Sequence, residues 1–386
     1  MKRKMVFVLV LLIISVLCVS CSSSDEDKTV KIAVMGEKDN FYPDYEAGIK
    51  QAIADLNDEY TDRGFSFEYS IYDDDNSYEK GAQIIDKLKD DDSVTAVVGS
   101  LDMEINTTAA YMFNESKRLF VIPYVLKDSV YEINNYKTVF SLANSGKQIG
   151  SCLEVAAVKE TNAKRWAVCA GNDEFSMAEM RGFMQKNGLY DDIQIVDCND
   201  IVTLMTDFDN EMNRWVKLGV DGVVLFPGSS YSSDALFELL KRIRTNAPNI
   251  ICMGDSNFDD SSIIESDEEL GNAIKGFVLV ADFYKTNDDK SMVEKYNKMQ
   301  SDYENEHGTR FDLWYLQAYN MIRMIGDKAA EHNTNDSTLL AEILHKDGYN
   351  GVCQKFVFDE NGSQMLTAMQ YFVLNNDGTA KEINVR

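Results

Sequence analysis

The chain has few basic residues for its length, and this shortage limits its partners. Among 386 residues, 38 are Lys or Arg and 64 are Asp or Glu, which gives a formal charge of −26. Nucleic-acid backbones and anionic lipid surfaces attract basic proteins, so we expect neither as a partner. The acids are spread along the whole chain, and a well-solvated surface is the simplest explanation for them.

Histidine is scarce, and the cysteines follow no metal or disulfide pattern. The three histidines stand apart in polar surroundings and lack a metal-binding spacing such as H-E-x-x-H. Five cysteines follow Cys21, an odd number without a C-x-x-C motif, and Cys169 and Cys252 lie in apolar runs typical of buried free thiols. The remaining three are Cys152, Cys198 and Cys353. We therefore expect no metal, no cofactor and no disulfide framework.

Motifs for phosphate binding and for common hydrolases are also missing. No stretch fits G-x-x-x-x-G-K-[ST] or G-x-G-x-x-G, so a nucleotide-phosphate cradle has no motif behind it. An exported hydrolase would need a G-x-S-x-G elbow, a metal motif or a paired Cys and His, and none of these is found. With 64 acids in the chain, carboxylates near a turn are expected by chance. We therefore predict that the protein is not an enzyme.

The first residues are typical of an export signal. A basic segment at 2–4 precedes an apolar segment at 5–14, which is too short to span a bilayer. No other run is long and apolar enough for a transmembrane helix. The chain is therefore expected to leave the cytoplasm.

The segment LCVSC that ends this signal resembles a bacterial lipoprotein cleavage box. Ser20 precedes Cys21, whose thiol would carry the lipid, whereas Cys18 stands where the box usually has Leu. A plain secretory signal with incidental cysteines is the alternative. We predict a signal peptide over 1–21 that ends at Cys21, a flexible tether over 22–28, and a protein anchored by lipid to the outer face of the cell membrane.

Short apolar runs alternate with segments of helical spacing in the rest of the chain. Such runs lie at 30–35, 94–98, 119–122, 166–170, 222–226 and 250–253. Because apolar strands joined by helices are buried on both faces, the alternation predicts an α/β fold with parallel-rich sheets. Runs at 355–358 and 369–374, with turn signals at 359–362 and 376–378, predict antiparallel hairpins that finish a lobe. The length predicts two lobes.

Four turns that follow predicted strands contain Gly or short polar residues. They lie at 35–37, 99–102, 227–230 and 254–256. In open α/β sheets, ligands bind outside the carboxyl ends of the strands, where helix N-termini offer free N–H groups. These turns are therefore the first candidates for a ligand site.

The order of the segments resembles a known family. KIAVMG, AGIKQAIADLN, YDDDNSYEKGAQIIDKL, VTAVVGS and LFVIPY follow one another as in the leucine/isoleucine/valine-binding proteins, the type I solute-binding proteins of ABC importers. The similarity covers residues 30 to about 380. It implies two Rossmann-like lobes that enclose a small ligand, joined by a three-strand hinge near Ser141, Val278 and Gly351. The implied lobes are 29–141 with 278–350, and 142–277 with 351–386.

The resemblance also assigns ligand contacts, first in two loops of the first lobe. Tyr42 matches an aromatic residue of the family's first loop, although a surface-loop aromatic is the alternative. In the loop where relatives have small residues and Thr, this chain has Tyr124, Val125 and Lys127. The chemistry of this loop is therefore expected to differ from that of the relatives.

A third loop of the first lobe departs from its relatives more clearly. Amino-acid binders hold the ligand's carboxylate there with a Ser hydroxyl and backbone N–H groups, whereas this chain has Met103 at that position, with Ser100, Asp102 and Glu104 beside it. Packing of Met103 and helix capping by the acids are the alternatives. If the turn faces the ligand, its acids would repel an anion, so a carboxylate held in the usual way is disfavoured.

In the second lobe the resemblance points to a tyrosine and an acid that hold the ligand's ammonium group. Tyr231, next to Ser230, matches the tyrosine, with a surface-loop aromatic as the alternative. Ser256 stands where the acid is expected, and Asp255 beside it is the substitute. Phe175 replaces a family tyrosine. These residues complete the predicted ligand site.

The predicted function is capture of a small polar solute, an amino acid or a related amide or amine, for an ABC importer. The importer's permease and ATPase would be separate chains. The alternative is an extracellular sensing module of the same fold that acts through a partner protein. Neighbouring genes for a permease and an ATPase would favour import, and a neighbouring kinase or cyclase gene would favour sensing.

Overall fold

Parallel strands organise both halves of the protein in a computed structural model of the chain. The residues that the structure describes are 27–37, 43–123, 135–185, 193–228, 231–258, 268–281, 290–309, 311, 313–352, 355–365, 370–375 and 380–383.

The strands and helices alternate along most of the chain. The strands are β1 (Lys28–Gly36), β2 (Phe65–Asp73), β3 (Ala96–Val98), β4 (Leu119–Ile122), β5 (Val139–Ser141), β6 (Arg165–Ala170), β7 (Gln194–Asp200), β8 (Gly222–Phe226), β9 (Ile251–Gly254), β10 (Val278–Ala281), β11 (Tyr349–Asn350), β12 (Lys355–Phe356), β13 (Gln370–Leu374) and β14 (Ala380–Ile383). The helices are α1 (Pro43–Tyr60), α2 (Tyr78–Lys89), α3 (Met103–Glu115), α4 (Gly146–Glu160), α5 (Glu174–Met184), α6 (Ile201–Thr206), α7 (Phe208–Leu218), α8 (Ser233–Asn246), α9 (Glu268–Ile274), α10 (Lys290–His307), α11 (Leu313–Glu331) and α12 (Ser337–Asp347).

The first lobe is built on a parallel sheet with the strand order β2-β1-β3-β4-β5. Side chains of β1 alternate between its two faces: Ile32 and Val34 join the core under α1 and α11, whereas Ala33 and Met35 join the core under α2 and α3. Both faces are therefore covered by helices, as the apolar strands predict.

The second lobe is built on the sheet β14-β13-β10-β9-β8-β6-β7. Strands β6 to β10 are parallel, and β13 is antiparallel to both β10 and β14, which confirms the predicted C-terminal hairpin. Along β6, Trp166 and Val168 face the core under α4 and α5, while Cys169 faces the core under α7 and α8. Cys169 and Cys252 are buried free thiols, as predicted.

The chain crosses between the lobes later than the resemblance implies at two places. Val278 lies inside β10, which pairs with β9 and β13, so the chain leaves the second sheet only after Ala281. Phe356 and Phe358 lie in the core of the first lobe, so the third crossing follows them and does not occur at Gly351. The boundaries differ because they depend on which strands pair, and local sequence does not show this.

Contacts at the crossings connect the segments. Ser141, at the end of β5, forms a parallel bridge with Ser363, and the Ser141 N–H donates to the Gly362 carbonyl at 3.0 Å. Gln148 of α4 donates from Nε2 to the Gln364 carbonyl at 3.1 Å. The first and third crossings therefore run side by side. Among the described helices, none is long and apolar enough to cross a membrane.

Candidate functional site

The chain crosses between the lobes at the carboxyl ends of both parallel sheets. β5 ends at Ser141, and the next helix, α4, packs on the second sheet through Leu153. β10 ends at Ala281, and the next described helix, α10, packs on the core of the first lobe through Tyr303. Ligands of open α/β sheets bind at this edge. The turns that follow the strands are named the first wall in the first lobe and the second wall in the second lobe.

The first wall consists of Asp74, Ser100, Asp102 and Asn106, at the ends of β2 and β3. Asp102 caps α3, because its Oδ1 accepts a hydrogen bond from the Ile105 N–H at 2.8 Å. The Ser100 Oγ accepts from the Asp102 N–H at 3.1 Å, and the buried Asn106 donates from Nδ2 to the Ser100 carbonyl at 2.6 Å. The turn after β3 is therefore held by its own side chains.

Asp74 extends the first wall toward β1. Only 1% of this residue is exposed; its N–H donates to the Gly36 carbonyl at 3.2 Å, and its Oδ1 accepts from the Asn76 N–H at 3.0 Å. Burial raises the pKa of Asp74, the Ser100 hydroxyl and the Asn76 N–H oppose this rise, and the charge of Asp102 adds to it. A carboxyl group in this environment favours a positively charged neighbour.

Met103 and Glu104 form the first turn of α3. Met103 is half-buried, and its carbonyl accepts from the Thr107 hydroxyl at 2.8 Å, whereas Glu104 is exposed. An acid in the first turn stabilises a helix through the helix dipole. The capping role of Asp102 is thus present, and ligand contact by Met103 or Glu104 stays a prediction.

The second wall consists of Asp173, Gly228, Tyr231 and Asp255, at the ends of β6, β8 and β9. Asp173 caps α5: its Oδ1 accepts from the Ser176 N–H at 3.0 Å and its Oδ2 from the Ser176 hydroxyl at 2.6 Å. Gly228 has a φ of +66°, and a Cβ there would lie 1.9 Å from the Asp173 Oδ2. The turns after β6 and β8 are therefore in close contact, and only glycine fits between them.

Asp255 is the buried acid of the second wall. It is 3% exposed, and both of its oxygens accept from Asn257, at 3.0 Å from the backbone N–H and 3.0 Å from Nδ2. Burial raises the pKa of Asp255 to about 6, hydrogen bonds from Asn257 and the buried Glu179 oppose this rise, and the charge of Asp173 adds to it. Asp255 therefore changes its charge just below neutral pH.

The other predicted residues of the second lobe differ from one another in burial and packing. Tyr231 is half-buried against the core of the lobe, and burial together with the charges of Asp200 and Asp173 raises its pKa. Ser256 is exposed, and Phe175 of α5 packs on the core that contains Trp166, so packing accounts for its aromatic ring. Tyr231 and Asp255 thus follow neighbouring strands at the carboxyl edge of the second sheet.

Several predicted residues lie outside the part of the chain that the structure describes. They are Tyr42, Tyr124, Val125, Lys127 and Ser230 of the ligand site, together with Cys21, Cys353 and the whole predicted signal peptide.

The sequence analysis missed four polar residues of this region: Asp74, Asn106, Asp173 and Glu179. Asp74 and Asp173 each follow a strand directly and precede a helix, and that position marks the carboxyl edge of a sheet. The position could therefore have identified both acids. Asn106 and Glu179 lie inside helices, where local sequence carries no signal of their burial.

The two walls offer carboxylates, hydroxyls and amides. Among the described residues, no group of three or more His, Cys, Asp or Glu side chains is arranged to hold a metal ion. The polar groups are suited to hydrogen bonding and to electrostatic binding of a small polar molecule between two lobes.

The sequence matches the model of the Periplasmic binding protein family over residues 32–379. This match covers most of the chain and confirms the resemblance and the non-enzymatic class predicted above. No curated protein matches the chain.

Solved structures of similar fold include three substrate-binding proteins of ABC transporters. One is from Desulfitobacterium hafniense, in complex with Leu, with 16% identity and a TM-score of 0.75 over 92% of this chain and 100% of that chain. The branched-chain amino acid binding protein LivJ from Streptococcus pneumoniae, in complex with isoleucine, has 17% identity and a TM-score of 0.68 over 92% and 98% of the chains. A solute-binding protein from R. palustris, in complex with benzoate, has 13% identity and a TM-score of 0.67 over 92% and 96% of the chains. These similarities confirm the predicted type I periplasmic-binding-protein fold.

Proposed function

Since the chain belongs to the periplasmic binding protein family, we propose that it captures a small polar solute between its two walls for an ABC importer. The observation that supports this proposal is that polar turns lie at the carboxyl edges of both sheets, where the chain crosses between the lobes. Asp74 and Ser100 come from one lobe, and Asp173 and Asp255 come from the other. A ligand between them would contact both lobes at once.

Binding is proposed to close the two lobes around the solute by a hinge at the crossings. Such a motion needs only a few backbone angles at the crossings to change. A cleft between rigid lobes buries most of a small ligand, and each lobe keeps its own core. The division of the chain is proposed as 29–141 with 290–358 for the first lobe and 142–281 with 370–386 for the second.

The proposed solute is an amino acid or a related amide or amine. Similar proteins of known structure hold leucine, isoleucine or benzoate, so small ligands of different chemistry suit this fold. Tyr42, Tyr124, Val125, Lys127, Phe175, Ser230 and Ser256 remain proposed contacts. The permease and the ATPase of the importer are proposed as separate chains.

The chain is proposed to act outside the cytoplasm, attached by lipid at Cys21. The support is the basic and apolar signal followed by a small residue and Cys21. A Cys21→Ala variant of the full chain is expected to leave the membrane fraction, and retention there would contradict the anchor.

Thermal unfolding with a broad ligand panel tests the proposed function. The protein lacking the predicted signal, residues 22–386, keeps every described residue and is mixed with amino acids, amides, amines, sugars and short peptides. A ligand at 100 times its dissociation constant adds about 2.7 kcal/mol to the free energy of unfolding. No stabilisation by any class would contradict the proposal.

A pair of tyrosine variants locates the binding site. Tyr231→Phe removes one hydroxyl from the second wall and is expected to weaken binding of the ligand found in the panel. Tyr111→Phe removes a hydroxyl from an exposed position on α3 and serves as the control. Equal affinities in the two variants would place the ligand away from Tyr231.

A further inference from the structure

The first wall contains two buried hydrogen-bond acceptors without donors. The Oδ2 of Asp74 and the Oδ1 of Asn106 have no hydrogen-bond partner among the described residues, and both residues are at least 99% buried. The amide of Asn106 is oriented by its bond from Nδ2 to the Ser100 carbonyl, so its oxygen lies beside Gly99 and the Phe120 ring inside the lobe, and Asp74 carries the unpartnered oxygen of the turn. Buried acceptors are rarely left without a donor in folded proteins, so this wall favours a ligand that donates hydrogen bonds.

Two backbone donors of this turn are already used within the lobe. The Asp102 N–H donates to the Ser100 hydroxyl, and the Ile105 N–H donates to the Asp102 carboxylate. The side chain of Asp102 thus occupies the N-terminus of α3, where an anionic ligand would otherwise bind. A ligand carboxylate would meet a negative charge at this place.

The charges of both walls have the same sign. Asp74 and Asp102 lie in the first wall, Asp173 and Asp255 lie in the second, and the described residues of these turns include no Lys, Arg or His. Lys80, the next lysine along the chain from Asp74, pairs with the exposed Asp75 at 2.6 Å. Acidic turns attract a cation and repel an anion.

We propose that the ligand is an aliphatic amine without a carboxylate, whose ammonium group binds Asp74 and Asp102 of the first wall. This inference rests on the binding function proposed above. A second ammonium group, as in a diamine, would lie against Asp173 and Asp255 of the second wall. The hydroxyl of Ser100 accepts a further N–H hydrogen. The unpartnered oxygen of Asp74 and the acidic charge of both turns are thereby satisfied by one class of molecule.

Matched ligand pairs that differ only in the carboxylate test this proposal. Calorimetry on residues 22–386 compares 3-methylbutan-1-amine with L-leucine, and 1,5-diaminopentane with L-lysine. In each pair the amine is expected to bind at least about tenfold more tightly, because the carboxylate of the amino acid meets Asp102. The diamine is expected to bind more tightly than the monoamine.

Variants of the first wall locate the ammonium group. Asp74→Asn keeps an acceptor for the Asn76 N–H and removes the charge. This variant is expected to bind 1,5-diaminopentane at least about tenfold more weakly. Asp102→Asn removes the charge and keeps a side chain that caps helices well. A loss of affinity in this variant therefore reports the loss of charge and not a loss of stability. The control is Asp90→Asn, which removes an exposed acid at the C-terminal end of α2 and is expected to leave the affinity within about twofold.

A change of pH gives a second measurement. Asp74 faces Asp73, Asp102 and Ser100, and Asp255 faces Glu179, Asp173 and Asn257; burial raises the pKa of both acids. Binding of a cation favours their charged forms, so amine affinity is expected to fall between pH 7.5 and pH 5, with proton release on binding. An unchanged affinity over this range would place the ammonium group away from both acids.

The outcomes separate this inference from the proposed function. If an amino acid binds more tightly than its matched amine, the amine class is wrong and the binding function stands. The same conclusion follows if Asp74→Asn and Asp90→Asn bind 1,5-diaminopentane equally well. If no member of the broad panel binds, the binding function itself is contradicted.

Discussion

The carboxylates of the second wall receive hydrogen bonds from their own lobe, whereas the first wall keeps acceptors without donors. Both oxygens of Asp173 accept from Ser176, and both oxygens of Asp255 accept from Asn257. In the first wall, Oδ1 of Asp74 accepts from the Asn76 N–H, whereas Oδ2 of Asp74 has no partner among the described residues. The two lobes share an architecture and differ in how far their polar edges are satisfied.

This difference separates a wall that holds its own geometry from a wall that depends on a ligand. Carboxylates fixed by short local hydrogen bonds keep their positions with or without a solute, which favours rapid and specific binding. A buried acceptor without a donor costs about 1–3 kcal/mol, and a ligand that supplies the donor recovers this free energy. Substitutions in the second wall are therefore expected to change mainly the stability of the protein. Substitutions in the first wall are expected to change mainly its affinity for the ligand.

The largest effect is expected for the pH dependence that Asp255 gives to the second wall. A buried acid with a pKa raised from 3.8 to about 6 binds its proton more tightly in the folded protein, so its ionisation lowers stability as pH rises from 4 to 6. This penalty amounts to about 3 kcal/mol above pH 6 and is absent below pH 4. Asp255→Asn removes it.

Urea unfolding at pH 4 and pH 7.5 measures this effect. Relative to the unchanged protein, Asp255→Asn is expected to be more stable by about 3 kcal/mol at pH 7.5 than at pH 4. Asp90→Asn, an exposed acid of the first lobe, controls for the loss of one negative charge. If Asp255→Asn and the unchanged protein differ in free energy of unfolding by the same amount at both pH values, Asp255 does not titrate in this range.

The close contact between the turns after β6 and β8 gives a smaller effect. Gly228→Ala places a Cβ 1.9 Å from the Asp173 Oδ2 and 2.3 Å from the Ser176 hydroxyl, at a φ of +66°. Gly276→Ala has a similar φ of +76° and meets nothing within 4 Å, so it measures the backbone cost alone. Gly228→Ala is expected to cost about 2 kcal/mol more than Gly276→Ala in thermal unfolding. Equal costs would show that Asp173 moves aside freely.

The sheets could be predicted well because their strands are continuous apolar runs. The run before Gly99 forms β3, and the run before Pro227 forms β8, each buried on both faces. The crossings could not be predicted with the same accuracy, because β10 looks like any apolar strand. Only its pairing with β9 and β13 assigns it to the second lobe.

The candidate site could be predicted in part. Asp102 and Asp255 each come shortly after an apolar run that ends in glycine, and a glycine at that place is a turn signal in a sequence. Asp74 lies in a run of three acids among 64 in the chain, so nothing local distinguishes it from its exposed neighbour Asp75. Its burial comes from contacts with Gly36 and with the turn that contains Ser100, which are distant in sequence.

The smallest effect separates the structural role of Asp102 from its proposed role in binding. Asp102 caps α3 at the first wall, and Asp336 caps α12, with its Oδ1 2.7 Å from the Leu339 N–H. Each change to Ala is expected to cost about 1 kcal/mol of stability, because each removes one helix cap. Only Asp102→Ala is expected also to weaken ligand binding, since α12 begins beside Thr95, at the amino edge of the sheet. Equal effects on affinity would mean that Asp102 serves the helix alone, and that the cation is held by Asp74 without it.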